Sequence, residues 1–408
     1  MTMIAVPSLS SQRRSIMGLT NRQPRAPRRL LLRAAGAALA ALLAGIGSPA
    51  ALGAPAPRPG GARPSASARS SEARALRGPS GLAVDGGNLW VTNLRGDTVT
   101  EINPSTHRRV RTIGTKRDAF RSPAAIIAVR HHLFVANRLG AGGTGSVTEI
   151  EAGNGAWVRT ISARRDGFDH PVAFALHRQD LFVVNQGGSI TELKTTTGAL
   201  IRTITGHRYH LANPVAVTVA GQDLWVADET TADTAGTVTE INIATGALVR
   251  TLAGDGLSGP DGIGFGMGHV WVADSTSYAD TEIDAGTGAI IKTVSDSTGP
   301  YGFNQPSVTL VNKGNVYVVD PPGDTPMVTR FSATDGTVAW FECNTNTPSP
   351  DFVLPSALAV MGTDLFVANP DTSTTTLDGG GKLVGNSITE LNLADRGNAV
   401  AWMTNSSL

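Results

Sequence analysis

Six glutamates, Glu101, Glu149, Glu192, Glu240, Glu282 and Glu390, recur in one short sequence context, and six acids on equivalent elements form a candidate cation-binding ring. Five of them coexist with a base later in the same repeat: Arg111, Arg159, Arg202, Arg250 and Lys292. Opposite charges across a hairpin stabilise it by roughly 0.2–1 kcal/mol per pair. One unit carries Arg330 in the Glu position and Ala339 in the place of the base, so both members depart together. Pairing inside each repeat accounts for these acids better than a metal does, and no metal site is assigned to them.

A second chemistry is basic. Lys116-Arg117, Arg164-Arg165 and His207-Arg208 stand at one distance before Pro123, Pro171 and Pro214, with His210 close behind. Guanidinium forks recognise carboxylate or phosphate through paired hydrogen bonds. These seven residues are the expected binding sector for an anionic ligand, a cell-envelope polymer or an acidic partner protein. The competing reading is local pairing with Asp118, Asp166 and Asp169. His207 and His210, three apart, amount to half a metal site, and no acid or cysteine repeats at a matching spacing.

No catalytic residue is assigned. The lone Cys343 has no evident His and Asn or Asp constellation, and no nucleophile elbow places a serine. Dinucleotide, P-loop and zinc-finger patterns are absent as coherent units, because Gly379-Gly380-Gly381 has no helix after it. No cofactor is expected.

The elements that position these residues repeat seven times. Pro79, Pro123, Pro171, Pro214, Pro260, Pro306 and Pro355 are each followed, ten residues on, by a β-rich run: LWVTN, LFVAN, LFVVN, LWVAD, VWVAD, VYVVD and LFVAN. A second run (VTEIN, VTEIE, ITELK, VTEIN, DTEID, VTRFS, ITELN) and a third (VRTI, VRTI, IRTI, VRTL, IKTV, VAWF, VAWM) follow. Turn signals such as Thr197-Gly198 and Asp335-Gly336 separate them. The stretch after each proline alternates apolar and small residues, as in Leu82 and Val84 against Gly81 and Ala83, which marks a first, innermost strand.

Four strands per unit and seven units predict an all-β, seven-bladed β-propeller of antiparallel blades over 73–408. An apolar residue three positions before each proline (Leu76, Phe120, Phe168, Leu211, Leu257, Phe303, Phe352) puts the first unit in register from its start. The seventh unit reads as complete, so the ring is expected to close by packing and not by a shared strand. The Asn or Asp ending each LWVTN-like run is expected to cap a turn. B–C and D–A loops share one face of such a ring, and specificity is expected there.

Gly 47, aromatic residues at 5% and charged residues at 16% suit short strands and tight turns. Residues 1–54 hold seven Arg and no acids, leaving 27 basic against 33 acidic residues beyond them, which argues against nucleic-acid binding. Arg25 to Arg33 followed by the 14-residue apolar run Ala34 to Gly47 reads as a signal peptide over 1–54, too short to span a bilayer. Residues 55–72, rich in Pro, Ala and Ser, read as a disordered linker. The expectation is an exported protein, extracellular or envelope-associated, with no membrane span once the signal is removed. The single cysteine permits no internal disulfide.

The seven [LV]-[WFY]-V-x-[ND] runs after proline-led strands resemble NHL and YVTN-type propeller repeats over residues 76–404, and Arg28-Arg29-Leu30-Leu31-Leu32-Arg33 resembles a twin-arginine export signature. The resemblance implies architecture above all, since such propellers include sensors, binding scaffolds and some enzymes. The functional expectation is a binding or scaffold module. The alternative is a lyase or hydrolase of the streptogramin-lyase type, whose magnesium-site histidine and acids find no match in this chain.

Overall fold

The computed structural model describes residues 76–114, 120–140, 143–162, 166–229, 236–321, 326–343, 352, 354–370, 386–394 and 399–403. The expected signal (1–54) and linker (55–72) lie outside them.

The first repeat folds as β1 (Pro79–Asp85), β2 (Asn88–Asn93), β3 (Thr98–Asn103) and β4 (Arg108–Ile113), hydrogen-bonded in that order. Six further four-stranded antiparallel sheets repeat the order over 123–161, 171–205, 214–252, 260–295, 308–343 and 357–403. The protein is therefore a seven-bladed β-propeller. Within each blade the strands are called A to D from first to last. Strand A begins at the proline itself in blades 1 to 5, and at Val308 and Ala357 in blades 6 and 7.

Seven apolar clusters fill the seven blade junctions. Each contains one large strand-B side chain: Trp90, Phe134, Phe182, Trp225, Trp271, Tyr317 or Phe366, all essentially buried. Fully burying one such side chain contributes about 1.5–3 kcal/mol. The residues three before each proline are buried as well. Innermost strands of neighbouring blades touch around the whole ring. Their small residues permit this, since a Cβ on Gly262 would stand 2.6 Å from the Ser307 carbonyl oxygen of the next blade.

The ring closes without a shared strand. Blade 7 supplies all four of its own strands, and Ala359, Phe366, Ala368 and Ile388 meet Leu76, Leu89, Val91 and Ile102 of blade 1.

The repeated charges are structural. In register, Glu101 faces Arg111, Glu149 faces Arg159, Glu192 faces Arg202, Glu240 faces Arg250 and Glu282 faces Lys292. The ion pairs close at 2.6 Å in blade 1, 2.5 Å in blades 2 and 4 and 3.2 Å in blade 5, with a close pair in blade 3. Burial pushes the carboxyls of Glu101, Glu192 and Glu240 above the ordinary range, against the lowering effect of their arginines. Each arginine also donates to a carbonyl in the C–D turn of the next blade: Arg111 to Gly153, Arg159 to Thr195, Arg202 to Ile243 and Arg250 to Thr287. One side chain thus satisfies a buried carboxylate and staples two blades.

Blade 6 keeps the staple by another route. Arg330, in the Glu position, binds Asn315 Oδ1 at 3.0 Å and donates to the Leu393 carbonyl of blade 7 at 3.0 Å. The residue opposite it is Trp340 and not Ala339, because the facing residue stands ten positions on in blade 6 as in blades 1 to 5, and the strand-D bulge falls at Ala339. The same bulge recurs in strand D of the other blades, and in blades 1 to 5 the extra residue is Val110, Val158, Ile201, Val249 or Ile291. These five account for most of the exposed large apolar side chains among the described residues. A bulge twists an edge strand away from further pairing, which is the structural reason for residues that otherwise look like a docking stripe.

The residue ending strand B caps the approach to strand A. Asn93 Oδ1 accepts from Arg77 N, Asn137 Oδ1 from Arg121 N and Asn185 Oδ1 from Asp169 N, while each amide group also donates to a strand-C threonine (Thr100, Thr148, Thr191). In blades 4 to 6 the aspartates Asp228, Asp274 and Asp320 accept from the backbone N–H one residue further on, that of Asn213, Gly259 and Gln305.

Candidate ligand-binding face

The D–A loop between blades 3 and 4 carries the described part of the basic sector. After strand D of blade 3 (Leu200–Thr205) the chain turns at Gly206, makes a single 3-10 turn over His207–Tyr209 and leaves through His210 in the left-handed region. Tyr209 pins this turn. Its ring is buried, its hydroxyl donates to the Gly246 carbonyl at 2.7 Å, and its own carbonyl accepts from Thr239 Oγ1 at 2.9 Å. The His210 N–H closes back on the His207 carbonyl at 3.2 Å. In a 3-10 turn residues three apart stand above one another, and the turn leaves both His207 and His210 exposed.

Both imidazoles line an open groove of about 490 Å³, together with Gly187, Gly188, Thr205 and Thr237. The glycines are required by closeness. A Cβ on Gly187 would collide with Asp169 Oδ2, and one on Gly188, at φ 93°, would stand 2.7 Å from the Leu211 carbonyl oxygen. The floor is therefore backbone, the rim is two histidines and two threonines, and no acid lines it among the described residues. Such a site offers donors to an anionic or hydroxyl-rich ligand.

Of the sequence-derived site residues, Lys116, Arg117, Arg164 and Arg165 lie outside the described residues. His207 and His210 share the groove. Arg208 does not line it: its guanidinium lies 4.7 Å from the Tyr209 ring centre and donates to the Tyr209 hydroxyl at 2.7 Å. Asp169 binds His170 at 2.7 Å, and Asp166 is buried with its carbonyl accepting from Thr191. Gly187, Gly188, Thr205 and Thr237 were not legible as site residues, since nothing in the sequence says that a B–C glycine pair faces the next D–A loop.

Among the described residues no three His, Cys, Asp or Glu side chains converge as a metal set, and Cys343 is a buried free thiol. No described helix is long and apolar enough to cross a membrane.

The fold is a propeller with an open groove on its B–C and D–A loop face. No family model and no curated protein matches the chain. Among solved structures it is similar to the crystal structure of the computationally designed Ika8 protein, at 15% identity and a TM-score of 0.55, covering 80% of this chain and 87% of that one. That likeness concerns the fold alone.

Proposed function

We propose that this protein is an exported propeller of the NHL/YVTN type that serves as a binding or scaffold module of the cell envelope or exterior, taking an anionic ligand on its B–C and D–A loop face. The observation that carries the reading is the groove between blades 3 and 4. Its rim holds His207 and His210 and, among the described residues, no acid, while the repeated strand-D arginines of blades 1 to 4 are consumed in blade-to-blade staples. Glycine floors and exposed donors suit recognition of an extended polyanion, whose oxygens accept from backbone and imidazole alike. Export rests on the basic and apolar order of residues 25–47.

Binding of anionic glycans or phosphate polymers is compared for the wild type, the Arg117/Arg165/Arg208→Ala triple and H207A/H210A. Loss of affinity in both variants supports the reading, and unchanged affinity in both sinks it. Fractionation with N-terminal sequencing of the mature protein tests export: a cytoplasmic protein with an intact N-terminus contradicts it.

A further inference from the structure

The chain has eight histidines, and five of them face a carboxylate at 2.7–3.1 Å: His107 with Glu390, His131 with Asp85, His132 with Glu149, His170 with Asp169 and His269 with Glu282. His207 and His210 are used differently. Both are exposed on the rim of the groove between blades 3 and 4, and neither ring pairs with an acid among the described residues. They are also the only groove-lining side chains able to carry a positive charge, since the rest of the lining is glycine, threonine, leucine and alanine. The threonine protons point elsewhere: Thr205 Oγ1 donates to the Gly188 carbonyl at 3.4 Å and Thr237 Oγ1 to the His210 carbonyl at 3.5 Å. Attraction for an anion therefore turns on these two rings, and imidazole is the side chain that changes charge between about pH 5 and 8.

The charged groups around the rings have partners of their own. Arg208, on the same turn, lies against the Tyr209 ring and donates to its hydroxyl. Asp169 stands behind Gly187 and binds His170. Past Ala212, Asp228 accepts from Asn213 N and Glu229 from Asn213 Nδ2. Asp228, raised to about 7 by burial, loses its negative charge on acidification, so its titration acts in the same direction as that of the rings.

We propose that the groove between blades 3 and 4 is a proton-gated anion site: His207 and His210, each taking a proton from solvent, together hold a sulfate, phosphate or carboxylate group, and the neutral rings release it. The inference rests on the anionic-ligand reading above and adds its regulation, with the ligand kept in an acidic setting and let go in a mildly alkaline one. Binding and protonation favour each other reciprocally.

The test is isothermal titration of the full chain with dextran sulfate and with long-chain inorganic polyphosphate, at about pH 5.5 and about pH 8 and one ionic strength. Sulfate esters and internal phosphates keep their charge over this range, so a change in affinity belongs to the protein. The wild type is expected to bind about ten-fold more tightly at the lower pH, the worth of a charge-assisted hydrogen bond. H207Q/H210N, in which Asn suits the left-handed position, should bind weakly at both values and keep only what Asp228 contributes. H207K carries a permanent charge and should bind more tightly than the wild type at the higher pH. Melting temperatures check that both variants are folded. Equal wild-type affinity at the two pH values, a pH dependence kept in full by H207Q/H210N, or no gain in H207K overturns the gate and leaves the proposed function standing. A wild type that binds neither polymer at either pH removes both.

Discussion

His107 Nε2 lies 3.1 Å from Glu390 Oε2 across the seam where blade 7 meets blade 1. At the four preceding junctions of this design, an arginine on strand D holds its own blade's glutamate and reaches forward to the next turn. Blade 7 has Ala401 opposite Glu390, so it has no such arm. The turn of blade 1 reaches back instead. His107 occupies the turn position that is Gly155, Gly198, Gly246, Gly288 and Gly336 elsewhere, and it accepts a φ of 53° to do so. The last ring junction is closed by the same chemistry with its direction reversed.

H107G keeps the turn geometry and removes the pair, leaving the largely buried Glu390 without a partner. The expected cost is about 1 kcal/mol, held down by the exposure of the imidazole. Adding A401R restores the arm used in blades 1 to 4, and H107G/A401R should recover most of the loss in thermal unfolding. A double variant no more stable than H107G would show that the seam does not depend on this contact.

Arg159 joins Glu149 at 2.5 Å to the Thr195 carbonyl at 2.8 Å. R159A leaves the buried Glu149 with His132 Nδ1 alone, 2.9 Å away, and should cost about 1–3 kcal/mol. E149A/R159A removes both charges and should be less destabilised than R159A alone. Denaturant midpoints decide between this order and its reverse, which would mean that the pair contributes little beyond packing.

Three aspartates make stability depend on pH. Burial raises Asp228 to about 7, Asp280 to about 7 and Asp320 to about 6, all from 3.8. Between these limits the folded state holds more protons than the unfolded state, so stability falls as pH rises. Their contribution is fully present below about 3.8, and it is lost through pH 6 to 7. The melting temperature should therefore decline from about pH 5 to pH 8. Asp280 is wholly buried, with Thr309 Oγ1 donating to it at 2.7 Å, where blades 1, 2, 4 and 6 have valine. D280V should raise stability at pH 8 and flatten the profile; an unchanged slope would contradict this account.

Asp228 offers an internal control. Blades 1, 2, 3 and 7 place asparagine there, with its amide donating to a strand-C threonine. D228N should keep one acceptor for Asn213 N, gain a donor toward Thr239 and remove one titrating group. A melting temperature at pH 8 equal to or above wild type is expected, with a drop as the contrary result.

The blades were legible because sterics repeat. The proline opens strand A in blades 1 to 5 and precedes it by two residues in blades 6 and 7, the ten-residue interval to strand B is fixed by one hairpin, and the Glu-to-base pairing follows from facing positions. The bulge in strand D was not legible, since an extra residue leaves no mark on local pattern; in blade 6 the VAWF run resembles VRTI one position early, which points to Ala339 where the ten-residue interval of the other blades puts Trp340. His107 hid in plain view as a departure from the turn glycines, but its partner lies 283 positions away. Arg208 matched the basic sector by spacing, yet its direction is decided by Tyr209, whose burial depends on blade 4. The groove residues Gly187 and Gly188 acquire meaning only from the neighbouring loop.

Hydrogen-exchange footprinting of the protein with and without a bound polyanion tests the central claim most directly, because it reports which face the ligand covers. Protection is expected at residues 186–188 and 205–212, with the C–D turns 104–107, 196–199 and 244–247 on the opposite face unchanged. Protection of those turns, or none on either face at saturating ligand, would contradict the account.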